Sequence, residues 1–107
     1  MNSEINNIYN VCKHIADNKD SREVNDLFVE ELSELIKAVM KLERYNFCDE
    51  SLRCDCYEIY DNIYEELADV TIMLFQFIYK NKLSQQNLID AISIKIIRYY
   101  ETISDKK

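Results

Sequence analysis

Two segments of this chain set acidic residues three apart beside apolar ones. Glu31 and Glu34 lie in VEELSEL, residues 29–35, and Glu66 and Asp69 lie in YEELADV, residues 64–70. Residues three apart are neighbours on one face of a helix. Spacing alone is weak, because seven acid pairs have it, among them Asp17/Asp20, Glu23/Asp26 and Glu58/Asp61. Position relative to the apolar face says more. At about 100° per residue with Glu31 at zero, Phe28, Leu32, Leu35, Val39 and Leu42 centre near about +60°, and Glu34 falls near about −60°. With Glu66 at zero, Ile63, Leu67, Val70, Leu74 and Phe77 centre at the same angle, and Asp69 matches Glu34. If the two helices pack antiparallel through these stripes, four carboxylates converge at one edge of the core. Gathering them costs several kcal/mol per ion unless something compensates. A hard divalent cation such as Mg²⁺ does so, and keeps positions for water and substrate phosphates. Glu31, Glu34, Glu66 and Asp69 are therefore the candidate metal ligands. The alternative is a solvated acidic rim on a helical bundle.

The elements that must carry these residues follow from composition and pattern. The 107 residues include no glycine and no proline, where average usage would supply roughly a dozen of the two together. Phosphate loops and dinucleotide fingerprints need glycine where backbone meets phosphate, and tight hairpins need it for positive φ. Both are excluded or disfavoured, and an all-α single domain over 1–107 is expected. Apolar periodicity predicts a helix over Ser3 to Asp17, with Ile5, Ile8, Tyr9, Cys12 and Ile15 as its stripe. Asp20 and Glu23 have capping-box spacing and start a second helix to about Tyr45. A third runs from about Tyr57 to Lys80, and Ser84 caps a fourth to about Ile103. Residues 46–56, NFCDESLRCDC, show no clean period and read as a loop insertion, with 104–107 a frayed tail. Four helices with short connections suggest a bundle.

The formal net charge of −7 argues against a nucleic-acid partner, which needs clustered Lys and Arg. No apolar run reaches the ~20 residues of a membrane span, and MNSEINNIYN has no basic patch followed by an apolar stretch. A cytoplasmic chain without membrane contact is expected, with Cys12, Cys48, Cys54 and Cys56 as reduced thiols. Cys48, Cys54 and Cys56 lack the paired spacing or the nearby histidine of a zinc site, and Cys12 reads as a core residue. His14, the sole histidine, follows Val11 by three, so the Glu-x-x-His motifs of di-iron bundles are missing. His14 reads as a surface or boundary residue. Tyr57, Tyr60 and Tyr64, at helical spacing, read as core or interface area, or as a base-stacking surface.

EELSELIKAV and EELADVTIMLF resemble the ExxE and ExxD halves of the MazG-like all-α nucleoside triphosphate pyrophosphohydrolases, a superfamily related to dimeric dUTPases and phosphoribosyl-ATP pyrophosphohydrolases. The resemblance covers about residues 24 to 100. It implies a four-helix bundle-like MazG fold that is oligomeric, and Mg²⁺-dependent cleavage of an NTP or dNTP to the monophosphate and pyrophosphate, with Mn²⁺ as a possible substitute. It puts the metal on Glu31, Glu34, Glu66 and Asp69. Glu34 or Glu31 would accept the attacking water's proton, and Lys95 or Arg98 would offset charge on the departing pyrophosphate. The linker from Leu35 to Glu65 is long for the family, and the basic and Asn positions of its last helix are not cleanly matched, which leaves the base and sugar open.

The last helix carries Ile89, Ile92, Ile94, Ile96 and Ile97 on more than one face. Burial on two sides, in a homodimer or tetramer, would accommodate them. The rival to an enzyme is a non-catalytic acidic interaction module whose acid pairs are only a rim.

Overall fold

Four helices make up the described part of the chain: α1 (Ser3–Ala16), α2 (Ser21–Phe47), α3 (Cys56–Lys80) and α4 (Gln85–Asp105). The computed structural model describes residues 3–47 and 56–105, and contains no strand among them. The expected loop over 46–56 lies mostly outside the described residues; α2 itself continues through Phe47 and α3 begins at Cys56. Among the described residues, no helix is long and apolar enough to cross a membrane.

Side-chain caps fix two of the helix starts. The Glu23 amide donates to Asp20 Oδ1 at 2.8 Å, which satisfies one of the orphan donors of the first turn of α2. The Asn87 amide donates to Ser84 Oγ at 3.1 Å and does the same for α4. Without glycine, α3 must end on another residue. Lys82 takes the left-handed conformation, φ 55°. The Leu83 amide then reaches the Ile78 carbonyl at 3.0 Å and the Lys82 amide reaches that of Tyr79 at 3.2 Å. This is the Schellman arrangement, usually built on glycine.

Helices α2 and α3 pack antiparallel, and α1 lies against α3. Polar contacts fasten the far end of α3 to the start of α2 and to the turn before it. Tyr79 Oη donates to Asp17 Oδ1 at 2.6 Å, Ser21 Oγ to the Lys80 carbonyl at 3.3 Å, and Asn81 Nδ2 to Asn25 Oδ1 at 2.8 Å. Gln76 is fully buried and accepts from Lys19 Nζ at 3.3 Å. The apolar core is small, with Cys12, Ala16, Val24, Ala38, Met73 and Ile78 buried. Around it Phe28 meets Phe77 with ring centroids 5.0 Å apart, and Tyr9 meets Phe75 edge-on at 5.5 Å.

The buried lines of α2 and α3 differ from the predicted stripes. On α2 a line of buried or half-buried positions runs through Val24, Phe28, Glu31, Leu35, Ala38 and Leu42, with Leu27 and Glu34 half-buried beside it, whereas Leu32 and Val39 are exposed. On α3 a line of buried or half-buried positions runs through Ile59, Ile63, Glu66, Val70, Met73 and Phe77, with Leu74, Gln76 and Ile78 also covered beside it and Leu67 exposed. Both lines step by alternating threes and fours, the spacing of a packed helix seam. Glu31 and Glu66 thus stand in the seam itself and not on its flank. The predicted angle was pulled away by Leu32, Val39 and Leu67, which are apolar but face outward.

Helix α4 stands apart. Its start closes an apolar cleft of about 130 Å³ with Ile5, Tyr9, Phe75, Ile78, Leu88 and Ile89 among its lining, and every residue from 85 to 104 is exposed.

Candidate metal centre

Near the middle of the α2–α3 seam, Glu31, Glu66 and Asp69 each offer a carboxylate oxygen, and the three oxygens lie within 4.8 Å of one another. Glu31 and Glu66 are half-buried and Asp69 is exposed, so the group opens to solvent on one side. The i,i+3 spacing of Glu66 and Asp69 puts both on the same side of α3, and the antiparallel packing brings Glu31 of α2 across to them.

The electrostatics of this group are unfavourable by themselves. Burial lifts the Glu31 carboxyl above its ordinary range, and the negative charges of Asp69, Glu66, Glu30 and Glu34 push it in the same direction. Glu66 Oε2 is a buried oxygen with no hydrogen-bond partner. An acceptor left so costs about 1–3 kcal/mol, and protons or a cation would offset the repulsion. The donor set, carboxylate oxygens only, suits a hard cation such as Mg²⁺.

Glu34 stands outside the group of three. Its Oε1 accepts from Lys37 Nζ at 3.2 Å, an exposed i,i+3 pair of the kind worth under ~1 kcal/mol. It remains close enough to add to the field on Glu31. Lys95 and Arg98 lie on the exposed length of α4. The structure therefore brings together Glu31, Glu66 and Asp69 of the six residues singled out in the sequence, with Glu34 beside them. Glu30, which also acts on Glu31, was missed. Its only signal was adjacency to Glu31, and adjacent residues on a helix point about 100° apart.

His14 is exposed on α1, and Tyr57, Tyr60 and Tyr64 are exposed on α3. Cys12 is a buried free thiol, and burial raises its pKa. Cys48 and Cys54 lie outside the described residues, as does the side chain of Cys56. The apolar cleft beside α4 is smaller than the ~300–1,000 Å³ of sites that enclose small ligands, so it does not by itself hold a nucleotide.

No protein-family model matches the chain, nor does any curated protein or solved structure.

Proposed function

We propose that this chain is a Mg²⁺-dependent nucleoside triphosphate pyrophosphohydrolase with a MazG-like fold, acting as a homo-oligomer. The observation that supports the reading is the convergence of Glu31, Glu66 and Asp69 across two helices, with the unpartnered Glu66 Oε2 among them. A solvated rim would leave its carboxylates in water. Here two glutamates occupy seam positions where an apolar residue would pack at no electrostatic cost.

In this reading Glu31, Glu66 and Asp69 hold the cation, which when bound neutralises phosphate charge and lowers the pKa of a water. Each chain residue then has a bounded task. Glu31 and Glu66, fixed in the seam, keep their oxygens at constant separation, and Asp69 faces the solvent side from which a triphosphate arrives. Glu34 sits one turn from Glu31 and is free to exchange Lys37 for a proton from the attacking water. Lys95 and Arg98 would offset charge on pyrophosphate as it leaves. The same reading places the chain in the cytoplasm, with nucleotide as its partner.

The test is pyrophosphate release with Mg²⁺ across the canonical NTPs and dNTPs, for the wild type and for Glu66→Gln. Release that requires Mg²⁺ and falls by about 100-fold or more in the variant is expected, because one charged ligand is lost while shape is kept. Absence of release from every substrate would overturn the proposal and leave the interaction module standing.

A further inference from the structure

Away from the carboxylates of the α2–α3 seam, the end of α1 meets the end of α3 around a polar cleft. Asn10, Lys13, His14, Asp17 and Tyr79 line it, and its volume is about 400 Å³. That lies within the ~300–1,000 Å³ of sites that take small ligands. Tyr79 stands ten residues beyond Asp69 on α3, about 15 Å along the helix. The cleft is therefore separate from the candidate metal centre.

Two opposite charges are held apart in it. Lys13 and Asp17 are four residues apart, a spacing at which unlike charges on a helical turn commonly pair. Here no ion pair joins them, and each is turned to an aromatic side chain. Asp17 Oδ1 accepts from Tyr79 Oη at 2.6 Å. Lys13 Nζ lies 5.3 Å from the Tyr9 ring centroid and 5.9 Å from that of Tyr79, where the negative faces of the rings attract a cation. The hydrogen bond to Asp17 raises the Tyr79 phenol above its ordinary range, and desolvation and the Asp17 charge act in the same direction. The phenol thus stays protonated and donating at neutral pH.

Tyr79 works as a spacer, with its hydroxyl on the anion and its ring face toward the cation. Both charges keep unused capacity. Asp17 has a second carboxylate oxygen, and the Lys13 ammonium has three N–H donors that ring faces do not saturate. His14 and Asn10, both exposed, add an imidazole and an amide to the wall. Fastening α1 to α3 needs only the Tyr79 hydroxyl and one oxygen of Asp17, which leaves Lys13 without a counter-ion.

We propose that this cleft binds a small zwitterion of the amino-acid class, with the ligand carboxylate on Lys13 and the ligand ammonium on Asp17. A ligand of one sign meets a like charge in the same cleft, whereas a dipolar ligand meets an unlike charge at each end. Discrimination comes from the two contacts together, since a single exposed ion pair contributes little. No carboxylate of the metal centre takes part.

Amide chemical-shift titration of the full-length chain at neutral pH tests it, with glycine, β-alanine and γ-aminobutyrate as probes. Sodium acetate and methylammonium chloride serve as single-charge probes at matched ionic strength. At least one amino acid is expected to saturate with a dissociation constant of about 1 mM or below, shifting amides near Lys13, Asp17 and Tyr79. That constant should be at least ~10-fold lower than for acetate or methylammonium. Lys13→Met and Asp17→Asn should each raise it by about 10-fold or more, and Asp17→Asn keeps an acceptor for the Tyr79 hydroxyl. Tyr79→Phe keeps the ring but frees Asp17 to pair with Lys13, so it should weaken binding by ~5-fold or more. Absence of saturation by about 50 mM with all three amino acids overturns the proposal on the wild type alone. So does acetate or methylammonium binding as tightly, or an Asp17→Asn chain of unchanged circular dichroism that binds as the wild type does. None of these titrations involves nucleotide or Mg²⁺, so this proposal and the hydrolytic reading fail separately.

Discussion

Glu31 shows how one residue joins stability to ligand chemistry. Its carboxyl is raised by burial first and by its acidic neighbours second, so the folded chain keeps this proton to a higher pH than the unfolded chain does. The stabilisation is complete below the unfolded pKa and is lost as pH rises through the folded one. In metal-free solution, melting temperature is therefore expected to fall across that window, and Glu31→Gln should flatten the fall. On the proposed reading Mg²⁺ reverses the sign, since a cation that binds the ionised group adds RT ln(1 + [L]/Kd), and the gain in melting temperature with Mg²⁺ should grow from pH 5 to pH 7. A gain that is the same at both pH values would count against cation binding at Glu31.

Among the described elements, the end of α3 carries a backbone strain. Lys82 occupies a left-handed conformation that costs a side-chain-bearing residue about 1–2 kcal/mol. Lys82→Gly removes that cost but gives the unfolded chain about 0.4–1 kcal/mol of extra freedom. Net stabilisation of up to about 1 kcal/mol is expected, read as a higher urea midpoint at unchanged slope. The helices themselves were legible from sequence because local signals set them. Asp20 and Ser84 cap where their spacing said they would, and all four segments form. Less legible was the rotation of α2 and α3. Leu32, Val39 and Leu67 are as apolar as the buried residues, and a single chain's pattern cannot tell a core-facing leucine from one facing outward. The acid pairs were legible by spacing, but their place within the seam depends on how two helices roll against each other. Glu34 and Asp69 occupied equivalent angles in sequence, yet Asp69 joins the group of three and Glu34 turns to Lys37.

At the scale of the molecule, shape and core size agree. The radius of gyration is 17.7 Å, against about 13 Å for a compact chain of this length. Among the described residues, six small or medium apolar residues form the buried core, while the isoleucines of α4 remain outside it. On the proposed homo-oligomeric reading, association covers that surface and the melting temperature should rise with protein concentration. A tenfold increase is expected to add about 3–5 °C for a dimer of two ~100-residue chains, measured by calorimetry. A concentration-independent transition would show that α1–α3 carries the stability alone.

The acidic residues within the α2–α3 seam also determine alignment. A purely apolar line repeats itself every seven residues, so two such helices can slip by a heptad and still match oil to oil. Here a slip would carry Glu31 away from Glu66 and Asp69 and set it against Ile59 or Met73, where no cation or proton could be shared. The correct register is then the one in which all the carboxylates meet. The residues that gather the candidate cation are the same ones that forbid the helices to slide.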